Sequence, residues 1–451
     1  MRVRFWGTRG SLAKPGRDTL QYGGNTACTE IRTDDGSLIV LDCGTGANDL
    51  GRQLLLEKLY RGHLLITHTH WDHIQGFPFF GPLFHHDGAW SVYAPAGLGT
   101  TLEETLSGQM RYEYFPVTLD QLGAQIDFHD LTEGEFNLGS VRVTARYLNH
   151  PAPTLGYRLE VGGATVVYAS DHEPHSQHTH ARTNLPVHRE DIRHLEFLAD
   201  ADLVIHDAQY TAEEYLDKVG WGHTAMEVAV EFALAANVHR LALFHHDPFR
   251  DDDTLNGLVE MCREMVAARG GNLDVCGAAE GVSVDLPEGS APRPRLEAGT
   301  DLQALVPTGL RPKVKTKVLI AVKDPALKRM LPFALRPEGF DIVNAADGKA
   351  AVEKTRKERP SLVLMEWDMP GLNGLEVCRA LRDDEDDELI RVPVVLITER
   401  AEAGEISAAF EAGVTDYVSA PFTPQYIRSR VYAWIRRAWQ GQTPKPTTDP
   451  G

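Results

Sequence analysis

The sequence predicts an α/β protein made of two unlike parts. Three observations support this: strand-like segments and helical patterns share residues 1–285, strands and helices alternate regularly in 314–440, and a proline-rich stretch lies between. A chain of 451 residues is long enough for two or three domains. Hydrophobic residues make up 42% of the chain, which is sufficient for packed cores.

Ten segments of the first part are rich in Val, Ile, Leu and Tyr and end near Gly, Pro or Asp, as strands do. They are VRFWG, CTEIRT, SLIVLD, HLLIT, WSVYA, VRVTARYL, TLGYRLE, ATVVYAS, ADLVIHD and RLALFHH. Helical patterns at 225–236 and 255–269 separate some of them, so we expect a layered α/β domain over residues 1–285. Polar clusters directly follow several of these strands, where sites in α/β folds commonly lie.

The second part has a simpler pattern. Residues 286–313 contain five prolines and are predicted to be a linker. Five strand–helix units follow in residues 314–440, with strands VLIAV, DIVNAA, LVLMEW, PVVLIT and DYVSA, and they predict a doubly wound parallel sheet. Residues 441–451 are expected to form a flexible tail.

Composition excludes several classes of function. The formal net charge of -19 argues against a large nucleic-acid partner, because phosphate contacts require basic surfaces. No apolar run reaches the roughly 18 residues of a membrane span, and the N-terminus lacks the apolar stretch of a signal peptide. Five cysteines without C-x-x-C spacing indicate reduced thiols, so a cytoplasmic location is expected.

The seven-residue segment THTHWDH, at the end of the strand HLLIT, is the strongest indication of a functional site. It places His68, His70, Asp72 and His73 within two turns of chain. Imidazole nitrogens and carboxylate oxygens suit Zn(II), Mn(II) or Fe(II), whereas a buried apolar core does not accommodate so many polar groups. Seven residues cannot supply two complete coordination shells, so a metal centre requires further ligands elsewhere.

Three other strands end in suitable ligands. His150 closes VTARYLNH, Asp171 closes ATVVYASD and His245 closes LALFHH, with His246 as a competitor of His245. Five histidines and two aspartates suffice for two divalent ions. One metal is expected to take His68, His70 and His150, the other Asp72, His73 and His245, and Asp171 is expected to bridge them.

This pattern of H-x-H-x-D-H followed by His, Asp and His resembles the metallo-β-lactamase superfamily of dinuclear hydrolases. Within it, FWGTRGS, GGNTACTEI and LDCGTG are most similar to the phosphodiesterase branch, which includes ribonuclease Z and cyclic phosphodiesterases. The resemblance implies an αββα sandwich for residues 1–285. It also implies that Asp42 orients the metal-binding loop.

The same resemblance implies the reaction. In this branch two metals share a hydroxide that attacks phosphorus, and a histidine backed by a carboxylate protonates the leaving group. Carried over, His223 is the general acid and Asp207 orients it, while Asp72 serves in both ligand and catalytic sets. Lactam hydrolases generally lack this pair, so a phosphodiester is the expected substrate.

We expect the substrate to be a small cyclic phosphodiester and not structured RNA, and a 3′,5′-cyclic nucleotide is the leading candidate. Ribonuclease Z requires a long Gly- and Lys-rich clamping arm, which this sequence lacks. The aromatic stretches at 76–84 and 110–115 are expected either to wall a base pocket or to pack in the core. The histidine-rich segment 172–194 is predicted to be a mobile polar lid in preference to a third metal site.

Residues 317–438 resemble response-regulator receiver domains of the flavodoxin-like (βα)5 type. Thr398 and Tyr417 match the family pattern. The positions of the phosphorylation chemistry depart from it, with Val322 and Lys323 in place of the acidic pair, Glu366 in place of the phospho-accepting Asp and Ala420 in place of the lysine. We therefore expect a pseudo-receiver that is not phosphorylated, in which Lys323 is placed to pair with Glu366.

The leading hypothesis is thus a dinuclear metallophosphodiesterase that is regulated or assembled through a pseudo-receiver. A homodimer and a signalling protein bound at the receiver are the expected partners. The alternatives are a ribonuclease Z-like nuclease, a non-catalytic signalling scaffold or sensor, and a thiol-ester or lactone hydrolase. A complete ligand set argues against the scaffold, and the pair of His223 and Asp207 argues against the ester hydrolases.

Overall fold

A computed structural model describes residues 1–95, 101–175, 189–218, 220–286, 316–336, 340–398 and 408–420, and within 422–435 the residues 422, 424, 426–428, 430, 431, 434 and 435. The chain divides into two compact units, with the division between Gly309 and Leu310. Most of the predicted linker and the whole predicted tail lie outside the described residues.

The first unit contains two seven-stranded mixed sheets. The first sheet has the spatial order β14 (Ser283–Asp285), β1 (Arg2–Gly7), β2 (Cys28–Arg32), β3 (Leu38–Leu41), β4 (Arg61–Leu65), β5 (Ala89–Pro95) and β6 (Gln125–Leu131). Strands β14 to β3 pair antiparallel, and β3 to β6 pair parallel. The polar clusters after β3 and β4 therefore lie at one edge of this sheet.

The second sheet repeats this mixed arrangement. Its spatial order is β13 (Asp274–Gly277), β12 (Arg240–Phe244), β11 (Leu203–Asp207), β10 (Ala164–Ala169), β9 (Leu155–Val161), β8 (Val141–Tyr147) and β7 (Gly134–Leu138). Strands β13 to β10 are parallel and β10 to β7 antiparallel. Every residue of β10 and β11 is buried, as expected of central parallel strands covered on both faces.

The helices of the first unit lie on the outer faces of the two sheets. They are α1 (Ala47–Glu57), α2 (Trp71–Ile74), α3 (Leu102–Gln109), α4 (Arg189–Leu198), α5 (Ala212–Tyr215), α6 (Met226–Ala235) and α7 (Asp252–Ala268). One apolar cluster joins both sheets, for example through Phe5, Tyr157 and Phe244, and two further clusters join each sheet to its helices. The layers are therefore helix, sheet, sheet and helix, which confirms the predicted αββα sandwich.

The second unit is a five-stranded parallel sheet. Its spatial order is β16 (Asp341–Ala345), β15 (Lys317–Ala321), β17 (Leu362–Glu366), β18 (Val394–Thr398) and β19 (Asp416–Ser419). The helices among its described residues are α8 (Pro325–Leu335), α9 (Gly348–Glu358), α10 (Gly374–Arg382) and α11 (Asp387–Arg391), and short helical pieces follow from 408 onward. This order is the flavodoxin-like topology that the alternation predicts.

All ten predicted strands of the first part are present. Strands β6, β7, β13 and β14 were not predicted, because they are short or have exposed polar faces such as that of QIDFHDL. Leu286, the first residue of the predicted linker, is buried and its amide donates to the Met1 carbonyl, so it belongs to the first unit. Within the described part of the chain, no helix has the length and apolarity needed to cross a bilayer.

Candidate metal centre

The seven predicted ligands come together at the ends of four strands. The residues after β4 supply His68, His70, Asp72 and His73, and the residues after β8, β10 and β12 supply the other three. Asp171 and His245 have positive φ angles of 56° and 59° at these strand ends. Non-glycine residues rarely adopt such angles, and they do so mainly where a functional constraint outweighs the strain.

One group of ligand atoms is compact. His73 Nε2 lies 3.3 Å from Asp72 Oδ2 and 3.1 Å from Asp171 Oδ1. His245 Nε2 lies 3.1 Å from the same Asp72 oxygen and 3.3 Å from the same Asp171 oxygen. Bonds of about 2.0–2.2 Å place the ligand atoms of a tetrahedral zinc about 3.3–3.6 Å apart, so these four atoms match one coordination shell.

The second group meets the other oxygen of Asp171. His68 Nε2 and His150 Nε2 lie 3.8 Å and 3.9 Å from Asp171 Oδ2, and His150 Nε2 lies 3.2 Å from His70 Nδ1. The two oxygens of Asp171 thus face different groups, one with His68, His70 and His150 and one with Asp72, His73 and His245. This is the division that the sequence predicts, with Asp171 between the two sites.

Buried nitrogen atoms in the cluster support cation binding. His68 Nε2 and His73 Nε2 are buried and make no hydrogen bond. An unpaired buried polar atom costs on the order of 1–3 kcal/mol, and metal ions in the two groups would satisfy one of these nitrogens each. The residues therefore fit a pair of divalent ions.

Neighbouring groups fix the tautomers of three ligating histidines. His73 Nδ1 donates to Asp42 Oδ2 at 2.8 Å, His150 Nδ1 donates to the Gly222 carbonyl at 3.0 Å, and His245 Nδ1 contacts Gln209 Oε1 at 3.2 Å. Each contact leaves Nε2 with its lone pair facing the cluster. Only the role of Asp42 was anticipated from the sequence.

Further hydrogen bonds and one close backbone approach hold the predicted ligands in place. Asp42 also accepts from the Thr67 amide at 2.7 Å and the Tyr168 hydroxyl at 2.8 Å, which ties the THTHWDH loop to both sheets. The Ser11 amide donates to Asp72 Oδ2 at 2.7 Å. A Cβ atom on Gly10 would lie 2.3 Å from His245 Nδ1, so the chain passes too close to that ring for a side chain.

The electrostatics of the cluster favour positive charge. Burial lowers the pKa of His68 and of His150 well below the ordinary value, which keeps these rings in the neutral form that binds metals. Burial opposes the charge on His73 too, but the carboxylates of Asp171, Asp72 and Asp42 outweigh it and raise the pKa of His73 well above its ordinary value. The carboxylates thus stabilise a cation at the place where His73 Nε2 lies.

His223 and Asp207 form the predicted acid–carboxylate pair beside the cluster. His223 Nδ1 donates to Asp207 Oδ2 at 2.7 Å and lies 3.9 Å from Asp171 Oδ2. The His223 ring stacks on the His245 ring with centroids 4.9 Å apart. Burial lowers the pKa of His223, but Asp207 in particular outweighs this and raises it to about 9. The raised pKa favours the protonated ring at neutral pH, and Nε2 is the nitrogen that does not contact Asp207.

The other histidines near the site have different surroundings. His246 Nε2 donates to the Ala278 carbonyl, and burial lowers its pKa to about 3, so the geometry favours His245 as the ligand. His206 lies beside His194, with their Nε2 atoms 2.9 Å apart. Within the predicted lid 172–194, the described residues His172 and His194 are buried and stacked, so the prediction that they are solvated is wrong. Residues 176–188 lie outside the described part of the chain.

The predicted aromatic stretches divide between core and surface. Phe77 and Phe80 are fully buried and pack in the core, whereas Tyr112 and Tyr114 are exposed. Exposed rings that were not predicted adjoin the cluster in sequence. Trp71 is 77% exposed and lies between two predicted ligands, Trp221 is 56% exposed and precedes His223 by two residues, and Phe249 is 82% exposed and follows His245 by four residues.

In the second unit, Glu366 is the last residue of β17, and its side chain contacts the loop after β15. Its Oε2 accepts from the backbone amides of Lys323 and of Asp324, the latter at 3.1 Å. The predicted pairing of the Lys323 side chain with Glu366 is not among the described contacts, and Glu366 instead binds the backbone amide of Lys323. Thr398 is buried at the end of β18.

Comparisons with known families agree with this architecture. The beta-lactamase superfamily domain matches residues 38–246, and the response regulator receiver domain matches residues 318–432. The DNA-binding response regulator MtrA of Mycolicibacterium smegmatis is 39% identical over 124 residues, which are 28% of this chain and 52% of MtrA. The chain spans about half the length of the curated relatives it matches.

Solved structures similar to the first unit have low sequence identity. The metallo-beta-lactamase fold protein YhfI of Bacillus subtilis is 18% identical with a TM-score of 0.44, covering 63% of this chain and 98% of YhfI. The short form of human tRNase Z is 20% identical with a TM-score of 0.43, covering 64% of this chain and 100% of that protein. A diphosphatase from the PhnP family is 16% identical with a TM-score of 0.44, covering 64% and 98%.

Proposed function

Because the chain contains a beta-lactamase superfamily domain and a response regulator receiver domain, we propose that its first unit is a dinuclear metal-dependent phosphodiesterase. The proposed substrate is a small phosphodiester, and a 3′,5′-cyclic nucleotide is the leading candidate. The observation that carries the proposal is the pairing of two ligand groups about Asp171 with a buried proton donor, His223, beside them.

The ligand set is proposed to hold two divalent ions, Zn(II) or Mn(II), with Fe(II) also compatible with mixed nitrogen and oxygen ligands. Such ions, when bound, lower the pKa of water and offset negative charge on a phosphoryl group. The protein supplies the rest. Five histidines and two aspartates would hold the two ions, and hydrogen-bond partners of His73, His150 and His245 keep these three imidazoles in the tautomer that can bind a metal.

His223 is proposed to donate the proton that the leaving oxygen needs. Asp207 holds its Nδ1, so Nε2 is the nitrogen that can deliver a proton to the substrate. A raised pKa keeps this donor charged at neutral pH. An alkoxide such as a ribose oxygen is a poor leaving group and depends strongly on this proton, which agrees with a sugar phosphodiester as substrate.

The exposed rings of Trp221 and Phe249, which lie within four residues of His223 and His245 in sequence, support a substrate with a planar aromatic group. Trp221 is flanked by the Lys218 ammonium, whose Nζ lies 4.2 Å from the ring centroid, and Lys14 Nζ lies 5.8 Å from that of Phe249. Stacking on a base contributes roughly 1–3 kcal/mol per ring. A small nucleotide would use both the rings and the neighbouring positive charge.

Charge distribution supports a small substrate over a polynucleotide. Residues 1–285 contain 21 lysines and arginines against 40 aspartates and glutamates, so this part of the chain has a formal net charge of -19. Binding along an RNA backbone relies on several phosphate contacts from basic residues. The acidic excess of residues 1–285 disfavours a long polynucleotide as the substrate.

The second unit is proposed to be a receiver that does not accept a phosphoryl group. Glu366 holds the β15–α8 loop through two backbone amides, and Val322 and Lys323 provide no acidic pair for Mg(II). Its proposed role is docking, either to a second copy of the chain or to a signalling protein.

The test is turnover of a substrate panel by the full chain loaded with Zn(II) or Mn(II). The panel contains bis-p-nitrophenyl phosphate, 3′,5′-cyclic AMP and GMP, 2′,3′-cyclic nucleotides and a precursor tRNA, and an Asp72→Ala/His73→Ala variant is the control. Cyclic-nucleotide hydrolysis that is lost in the control is the expected result. Turnover of the tRNA alone would indicate a nuclease, and no turnover with two metals bound would indicate a sensor or another ester hydrolase.

A further inference from the structure

Glu173 lies two residues after the bridging Asp171 and is buried, with 2% of its surface exposed. Its side chain points to the loop that leads into His223. Oε1 accepts from the Gly220 amide at 2.8 Å and from the Tyr215 hydroxyl at 2.7 Å, and Oε2 accepts from the Gly222 amide at 2.9 Å. Both carboxylate oxygens are thus used on a single loop.

The loop that Glu173 holds also connects the proton donor to a predicted metal ligand. The Gly222 peptide donates its N–H to Glu173 and accepts from His150 Nδ1 through its carbonyl at 3.0 Å. Gly222 has a φ angle of +90°, and a Cβ atom there would lie 2.3 Å from His150 Nδ1. The chain can pass this close to His150 only as glycine, and only if its amide has a partner on the other side.

The opposite end of Glu173 is anchored next to the same ligand. Its backbone N–H donates to the Asn149 carbonyl at 2.8 Å, and its own carbonyl accepts from Asn149 Nδ2 at 2.8 Å. Asn149 directly precedes His150. Glu173 is therefore fixed to the strand end that carries a ligand and holds the loop that carries the donor.

Two carboxylates divide the work on this loop. Asp207 binds the His223 ring and accepts from the Thr224 amide at 3.3 Å, while Glu173 binds the amides of Gly220 and Gly222. Asp207 sets the charge and tautomer of the ring. Glu173 sets where the backbone, and with it the ring, stands relative to His150.

We propose that Glu173 is a positioning residue for proton donation, which places His223 at the distance from the metal ligands that leaving-group protonation requires. This inference rests on the phosphodiesterase function proposed above. Geometric alignment of a general acid is worth about as much as the acid itself, which typically contributes 10²–10⁴-fold in rate. Loss of alignment will slow poor leaving groups and spare good ones.

The experiment compares the full-length protein with Glu173→Gln on methyl aryl phosphodiesters, from p-nitrophenol to unsubstituted phenol as leaving group. Glutamine keeps the size of the side chain but turns one acceptor into a donor that faces a backbone amide. We expect roughly a 10–100-fold loss for phenol and less than about a 3-fold loss for p-nitrophenol, with metal content unchanged by elemental analysis. A uniform loss across the series would overturn the proposal.

Two further measurements separate positioning from general damage. Glu173→Gln combined with His223→Ala is expected to be no slower than His223→Ala alone, because Glu173 acts through His223; additive losses would contradict this. Glu280→Gln is the matched control, since Glu280 also binds a backbone amide, that of Asn25 at 2.5 Å, and it should affect all leaving groups equally. Glu173→Asp keeps the carboxylate and should recover part of the lost rate.

Hydrogen exchange distinguishes failure of this inference from failure of the proposed function. Peptides that contain Gly220 and Gly222 are expected to exchange faster in Glu173→Gln than in the wild type, while peptides of β4 and β12 do not change. A wild type that hydrolyses no phosphodiester would refute the phosphodiesterase proposal. In that case unchanged exchange at the loop would refute the positioning role as well, and faster exchange would retain it for whichever reaction His223 serves.

Discussion

Replacing Asp207 by asparagine tests the acid–base pair most directly. In the wild type, burial opposes the charge on His223, and Asp207 is the largest of the contributions that raise its pKa from 6.5 to about 9. Asparagine keeps the shape but removes the charge, so the pKa should fall to about 6.5 or below. At pH 8 the protonated fraction would then drop from about 90% to about 3%, which is roughly a 30-fold loss of active enzyme.

The pH dependence of kcat/KM on an alkoxide-releasing substrate measures this loss. A proton donor is active below its pKa, so the rate falls as pH rises through that value, and the alkaline limb should move to lower pH by about 2.5 units or more in Asp207→Asn. Metal cations bound nearby repel the imidazolium and lower the pKa of His223 in both proteins, but the pKa in the variant stays below that in the wild type. Bis-p-nitrophenyl phosphate, whose leaving group needs no proton, should lose less than about 3-fold.

Two controls make this test decisive. Asp202→Asn removes a carboxylate from the other end of β11, where Asp202 accepts from the Thr165 amide at 2.9 Å, and it should leave the pH profile unchanged. Metal content of each variant should match the wild type. The reasoning is refuted if Asp207→Asn keeps the alkaline limb of the wild type, or if both substrates slow by the same factor.

Three further perturbations test other parts of the molecule. Asp171→Asn should bind fewer than two metal ions per chain and lose more than the roughly 10–100-fold typical of outer-sphere changes; full metal content by elemental analysis would exclude a bridging role. Trp221→Ala should raise KM for a cyclic nucleotide roughly 5–100-fold with little change toward bis-p-nitrophenyl phosphate, and an equal KM for the nucleotide would remove the base from the model of binding. Glu366→Ala removes the acceptor of the Lys323 and Asp324 amides, which water can partly replace because the contact is exposed to half-buried, so the receiver should lose about 0.5–1.5 kcal/mol of stability in denaturant unfolding. Unchanged stability would show that the carboxylate does not hold the loop.

The sequence sufficed for the metal cluster because the ligands follow strand ends. Residues 67–73 and the single residues His150, Asp171 and His245 each follow the end of a strand. Strands β8, β10 and β12 run in the same direction within the second sheet, so the packing of this sheet against the first brings their ends to the end of β4. Residue type and strand position together therefore predicted which side chains meet. Their role as ligands stays a prediction until a metal is measured.

The groups behind the ligands could not be predicted in the same way. The Ser11 amide and the Gly222 carbonyl are backbone atoms, which every residue has, so no residue type marks them. Gln209 and Glu173 are side chains of common types that matter only through the loops they reach. The histidines of 172–194 suggested a lid because polar residues are usually solvated. Of the described histidines in this segment, His172 and His194 are buried and stacked, and burial lowers the pKa of both.

Strands β6 and β7 were missed for a related reason. Their exposed residues alternate with half-buried ones, and Gln125–Leu131 has polar residues at most positions, so the segment lacks the apolar run that marks a central strand. Both are the last strands of their sheets, where one side of the backbone has no strand neighbour. Edge strands therefore leave a weaker trace in sequence than β10 or β11, which are buried throughout.

The two units differ in how much of their chemistry is kept, and this difference constrains how they can work together. In the first unit, burial, tautomers and neighbouring carboxylates all serve the ligand cluster, which is costly to retain in a protein that makes no use of it. In the second unit, Glu366 fills the place of a phosphorylated residue with a fixed negative charge, and its contacts to two amides hold the β15–α8 loop in one arrangement. A group that cannot change its charge cannot switch a loop between two states by phosphorylation. We therefore propose that regulation through this receiver comes from what binds its surface, and not from phosphoryl transfer to Glu366.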